Sequence, residues 1–154
     1  MANKINILFW IGLLAWISVI LIFSSQTGSQ TGELSGSFAQ VIAKFMHKNP
    51  TLEQINSVNL FIRKLAHIAI FMILAILSSL ALISSFSVNS FSSMIFLASL
   101  SCLITFALSF FDEWRKQFID GRHFDLSEVA LNALGSLIGV ILVFLIYWIY
   151  KNKL

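Results

Sequence analysis

Arg63 and His67 stand four residues apart, a spacing that puts both on one face of a helix. Further along, the run Asp112-Glu113-Trp114-Arg115-Lys116-Gln117 leads into a Gly121-Arg122 turn with Asp125 beyond it. Glu128 and Asn132 follow, again four apart. Residue types of this kind support three chemistries. The guanidinium forks of Arg63 and Arg122, with Lys64 beside the first, suit phosphate or carboxylate groups. An imidazole at His67 partnered by Asp112 or Glu113 could act as nucleophile or general base, with Arg122 stabilising developing charge. His67, Asp112, Glu113 and His123 could instead hold a hard or borderline metal ion. The expected pairings are Arg63 or Arg122 with Glu128, and His67 with Asp112 or Glu113. The candidate ligand-binding set is therefore Arg63, Lys64, His67, Asp112, Glu113, Gln117, Arg122, Glu128 and Asn132, with His67, Asp112 and Glu113 as the catalytic candidates. The favoured reading of this set needs no metal or other cofactor.

Plainer roles compete for several of these residues. Arg115 and Lys116, at a helix end, are expected to snorkel their charges out to head groups. Gly135 and Gly139 form a Gly-x-x-x-Gly pair suited to close helix packing, within the chain or between two copies of it. A lone membrane histidine is often only a packed hydrogen-bonding residue. The set rises above its members by convergence, because ionisable residues from three helices meet at one membrane face.

Such a set needs helices to hold it. Apolar residues make up 58% of the 154 positions and charged residues 11%, well short of the roughly 25% of a soluble domain. Four stretches, residues 5–23, 65–83, 91–111 and 129–150, approach the roughly 20 apolar residues needed to cross a bilayer core of about 30 Å. With no alternating strand pattern they are expected to be helices, since every backbone amide must be satisfied inside lipid. The expectation is one domain over residues 1–154, an all-α bundle of four transmembrane helices. The first stretch is read as an anchor rather than a signal peptide. Ser84 to Ser90 is a short uncharged turn, so spans two and three form an antiparallel hairpin. The long connection between spans one and two opens with a flexible polar exit, Ser24 to Gly28. Phe38, Val41, Ile42, Phe45 and Met46 then recur at helical steps opposite Gln40, Lys44 and His47, which predicts an amphipathic helix in the lipid interface or capping the bundle. Asn49-Pro50 ends it, and Thr51 with Gln54 forms a capping-box pattern for a helix running into span two.

An even span count puts both termini, with Lys4, Lys151 and Lys153, on one face. Lys44, Lys48, Arg63, Lys64, Arg115, Lys116 and Arg122 fall on the other. A positive-inside count would put that second face in the cytoplasm, but several of its cations belong to the cluster, so the count does not fix the orientation. The single cysteine, Cys102, lies in an apolar run and allows neither an intrachain disulfide nor a multi-cysteine zinc site. A net charge of +3 with scattered Lys and Arg makes nucleic acid an unsuitable partner.

In these residues the chain resembles the VanZ-like membrane protein family. The resemblance is carried by Phe23-Ser24-Ser25-Gln26 and Arg63-Lys64-Leu65-Ala66-His67. It continues through Asp112 to Arg122 and Val129-Ala130-Leu131-Asn132-Ala133-Leu134-Gly135, over residues 20–140. Glu128 stands where that family usually has aspartate, and His123, Phe124 and Asp125 replace a small, serine-rich turn. The family is named for a component associated with teicoplanin resistance in Gram-positive bacteria, and the resemblance implies a multi-pass plasma-membrane protein of the cell envelope. The leading functional expectation is a non-enzymatic binder of an anionic lipid or lipid-linked wall precursor. The alternative is a small membrane hydrolase or transferase acting on a phosphate-bearing lipid through His67, a carboxylate and arginine. Ion transport ranks third, because the ionisable residues sit at one face rather than along a path.

Overall fold

The computed structural model describes residues 2–47 and 49–152, with backbone alone at positions 2 and 3, so Lys48 and Lys153 lie outside the described residues. Every regular element among them is a helix: α1 (Ala2–Ser24), α2 (Gly28–Met46), α3 (Leu52–Ser85), α4 (Phe91–Lys116) and α5 (Leu126–Lys151). Lys4–Ser24 of α1 and the whole of α3, α4 and α5 are long and apolar enough to cross a membrane. The chain is an all-α integral membrane bundle, and the four expected spans lie within these helices. The helices outrun the expected spans where polar residues begin. Asp112, Glu113 and Lys116 belong to the last turns of α4, and Glu128 to the first turn of α5.

Short polar signals start each later helix. Thr27 and Gln30 cap α2 reciprocally, Thr51 and Gln54 do so for α3, and Ser90 and Ser93 for α4. The exit after α1 is thus a tight turn into a helix that begins at Gly28, well before Phe38. α3 has 34 residues, about 51 Å of helix at 1.5 Å per residue, and exceeds what the bilayer core needs. α2 folds back on α3 through the Asn49-Pro50 turn and, among the described residues, packs on no other helix. Its inner edge is Ala39 and Ala43, both fully buried, while Phe38, Val41, Ile42 and Phe45 face outward. The helix is amphipathic as expected. Leu34 and Phe38 line a cavity against α3, and its other large apolar side chains are exposed.

The bundle closes around the pairing of α3 with α5, its most extensive helix contact. Gly135 and Gly139 make it possible. A Cβ at Gly135 would sit 2.1 Å from the Ile68 carbonyl oxygen, and one at Gly139 would sit 2.5 Å from that of Met72. Both glycines are buried against α3, which corrects the expectation that a second copy could use them. Small hydroxyls let α4 approach as well. The Ser79 and Ser101 hydroxyls lie 3.0 Å apart, and Ser101 donates to Ser78 at 3.2 Å. On the face carrying the termini, Leu82, Val88, Leu97, Val140 and Phe144 form an apolar core. Trp10 donates to Ser85 there and ties α1 to the end of α3. Polar groups of the interior concentrate at the opposite face.

Candidate functional site

At that face the ends of α4 and α5 meet the middle of α3. Lys116 is 2% exposed and Glu113 is fully buried, so neither charge reaches the head groups. The Lys116 ammonium donates to Glu113 Oε1 and, at 2.9 Å, to Glu128 Oε2, with Asp112 Oδ2 at 3.9 Å. This corrects the expected snorkelling of Lys116. The positions of Asp112 and Glu113, four and three residues earlier on the same helix, hold the carboxylates over the ammonium. Burial of so many charges is costly, and mutual pairing offsets it.

His67 joins the cluster from α3. Its Nδ1 lies 3.0 Å from Asn132 Oδ1, and its Nε2 lies 3.2 Å from Glu128 Oε2. The ring thus bridges the Asn132 amide and the Glu128 carboxylate. The expected pairing of His67 with Asp112 or Glu113 is therefore replaced by Glu128 and Asn132 of α5. The reason is the close approach of α3 to α5 at the glycines. Arg63 does reach Glu128, at 3.8 Å. Arg122 does not, and donates instead to the Thr31 hydroxyl of α2 at 3.0 Å.

Arg115 has a different task from the one expected. It donates to the Leu21 carbonyl at 2.8 Å and to the Ser25 hydroxyl at 2.9 Å, satisfying the open C-terminal turn of α1, and it lies 3.6 Å from Asp112. Two of the candidate residues stay outside the cluster. Lys64 is exposed, and the exposed Gln117 donates to the carbonyl of Trp114. His123, named as a metal candidate, is also exposed. At the head of α5, Asp125 caps the helix by accepting from the Ser127 backbone at 2.8 Å. Hydrogen bonds from Ser127 hold its carboxyl below the usual aspartate range. The cap is thus present above the ordinary aspartate pKa and is lost only as pH falls through the lowered value.

These residues border two cavities that share part of their lining. The outer one, about 280 Å³, lies between the end of α1, α2 and α3. Arg63, Arg122 and His67 face it, together with the apolar Phe23, Leu34, Phe38 and Ile70. The inner one, about 130 Å³, shares Phe23, His67, Ile70 and Arg122 and ends on Ser24, Asp112 and Lys116. Apolar side chains thus flank a polar, cationic floor.

The turn before α5 positions Arg122. Gly121 has φ +70, the left-handed region that glycine favours. Gly28 donates to the Asp120 carbonyl at 3.1 Å, and a Cβ on Gly28 would lie 2.3 Å from the Gly121 carbonyl oxygen. Gly28→Ala is expected to push α2 off this turn and lower the thermal midpoint in detergent by several degrees. Gly32→Ala, at a helical position with nothing within 4 Å, is the control and should be neutral or stabilising. Equal midpoints for the two variants would contradict the contact.

Ligand atoms of His67, Glu113 and Glu128 all lie within 4.8 Å of one another, a spacing compatible with a metal. The Lys116 ammonium already bonds both carboxylates, so the donor set has a resident cation of its own. His67 has both ring nitrogens engaged, an arrangement suited to holding the cluster together more than to attacking a substrate. No curated protein and no solved structure matches the chain. A family model does, over residues 9–147, which takes in every residue of the cluster and both cavities. The chain belongs to the VanZ/LLP1 family.

Proposed function

We propose that this protein binds the anionic head group of a membrane lipid or lipid-linked wall precursor in the outer cavity, between Arg63 and Arg122. The observation that carries this reading is the pairing of two arginines on a cleft whose other walls are largely apolar. Charge supports it. Arg63, Arg115 and Lys116 are matched by Asp112, Glu113 and Glu128, whereas Arg122 has no carboxylate within 4.0 Å among the described residues and bonds only the Thr31 hydroxyl. An anion relieves that imbalance, and arginine forks suit phosphate. Glu128, Asn132 and Lys116 act behind the cleft by holding Arg63 and His67 in place. The proposed setting is the plasma membrane, and the teicoplanin association implied by the family resemblance would act through binding of envelope lipid or precursor.

Arg63→Gln and Arg122→Gln test the reading. Each is expected to weaken binding of an anionic phospholipid by at least about 10-fold, the scale of a hydrogen bond to a charged group. Native mass spectrometry of the purified protein gives the affinities, with phosphatidylcholine as reference. Unchanged affinity in both variants would overturn the proposal.

A further inference from the structure

Most polar side chains lining the outer cavity are already engaged within the chain. Arg63 and His67 face Glu128, Arg122 donates to the Thr31 hydroxyl, and the Ser35 hydroxyl donates to the Thr31 carbonyl at 2.9 Å. Gln26 is the exception. It lines the same cavity and is half-buried, yet among the described residues its side-chain amide has no hydrogen-bond partner. Neither amide atom is sealed inside the protein, so a ligand can reach both.

The backbone that carries this amide is held from both sides. The Ser25 hydroxyl donates to the Leu21 carbonyl at 2.6 Å and accepts from Arg115 at 2.9 Å. The Gln26 N–H donates to the Phe23 carbonyl at 3.3 Å, and the Thr27 N–H to the Gln30 side chain at 3.1 Å. Gly28 then donates to the Asp120 carbonyl at 3.1 Å. That last contact belongs to the turn that positions Arg122, so one clamp brings Gln26 and Arg122 to the same cavity. With the backbone fixed, binding has only side-chain rotamers left to order at this position.

Resting on the anion-binding reading above, we infer that Gln26 is a third ligand-binding residue, donating its side-chain N–H to a phosphate oxygen held between Arg63 and Arg122. The arginines supply the charge. The neutral amide adds a directed hydrogen bond without adding to the charges crowded behind the cleft.

Gln26→Leu keeps the size and the charge of the side chain and removes the donor. In native mass spectrometry on the delipidated full chain, its affinity for phosphatidylglycerol is expected to fall about 10-fold, the scale of a hydrogen bond to a charged group. Its thermal midpoint in detergent should match the parent, since no bond within the chain is lost. Gln26→Glu has the same shape, puts a carboxylate beside the arginines and should bind more weakly still. Gln26→Lys restores a donor and should recover the affinity. Gln40→Leu, exposed on α2 and outside the cavity lining, is the control and should bind as the parent does. If Gln26→Leu binds like the parent while Arg63→Gln and Arg122→Gln bind weakly, this inference is overturned and the anion-binding reading is spared. A midpoint that falls together with the affinity would assign Gln26 a structural role and would also overturn it. If neither arginine variant loses affinity, both readings fall together.

Discussion

Lys116→Met is expected to destabilise the protein by about 3–5 kcal/mol, the cost of removing one partner from a buried ion pair. The methionine fills a similar volume, so the loss is electrostatic. Glu113 would keep a fully buried carboxylate whose bonded oxygen has lost its donor. Glu128 would suffer less, because His67 and Arg63 still reach it. The double variant Lys116→Met, Glu113→Gln is therefore expected to recover part of the loss, since it removes the uncompensated charge along with its partner. Lys64→Met, at an exposed position on α3, should stay within about 0.5 kcal/mol of the parent. Thermal unfolding in detergent compares the four proteins. A Lys116→Met protein as stable as the parent would mean that the ammonium does not sit among the three carboxylates.

Gly135→Ala is the second substitution with a large expected effect. The new methyl would lie 2.1 Å from the Ile68 carbonyl oxygen and 2.9 Å from its carbonyl carbon and Cα. These are backbone atoms, so no rotamer change relieves the overlap and α5 must move away from α3. Overpacking of this kind typically costs 1–3 kcal/mol, and a backbone clash belongs at or above the upper end. The effect should extend to the site. Ile68 follows His67, and Gly135 lies one turn from Asn132, so separating the helices lengthens the His67–Asn132 hydrogen bond. The expected result is a lower thermal midpoint together with weaker anionic-lipid binding. A variant that keeps both properties of the parent would rule out the close α3–α5 approach.

The glycines also explain which parts of the site were legible in the sequence. The spans were readable because crossing a bilayer demands long apolar runs and leaves little room for another interpretation. Arg63 with Glu128 was readable for a similar reason, since a cation and a carboxylate near one membrane face need each other. The partner of His67 was missed because two clues were read separately. The helix that carries the close-packing glycines also carries Glu128 and Asn132, so it, and not α4, is the helix His67 meets.

Lys116 was misread as a helix-end cation. Its spacing from Asp112 and Glu113 was visible, but helical spacing alone does not say whether the shared face points inward. Only the burial of Asp112, Glu113 and Lys116 together decides that. Lys64 and Gln117 entered the candidate set as sequence neighbours of real members. Adjacent residues on a helix point about 100° apart, and these two point outward. Thr31 and the use of Arg115 on the end of α1 gave no signal in the sequence, because each depends on contacts between segments far apart in the chain.

An anionic head group seated between Arg63 and Arg122 brings lipid phosphorus close to arginine nitrogen, and that distance can be measured. The measurement is solid-state NMR dipolar recoupling between ³¹P and ¹⁵N on protein labelled at arginine, in bilayers of phosphatidylglycerol. A charge-assisted contact places phosphorus about 4 Å from the guanidinium nitrogens. Arginine side-chain signals are expected to dephase strongly, with the effect falling in Arg63→Gln and again in Arg122→Gln. Dephasing that is absent, or that survives removal of both arginines, would contradict that placement.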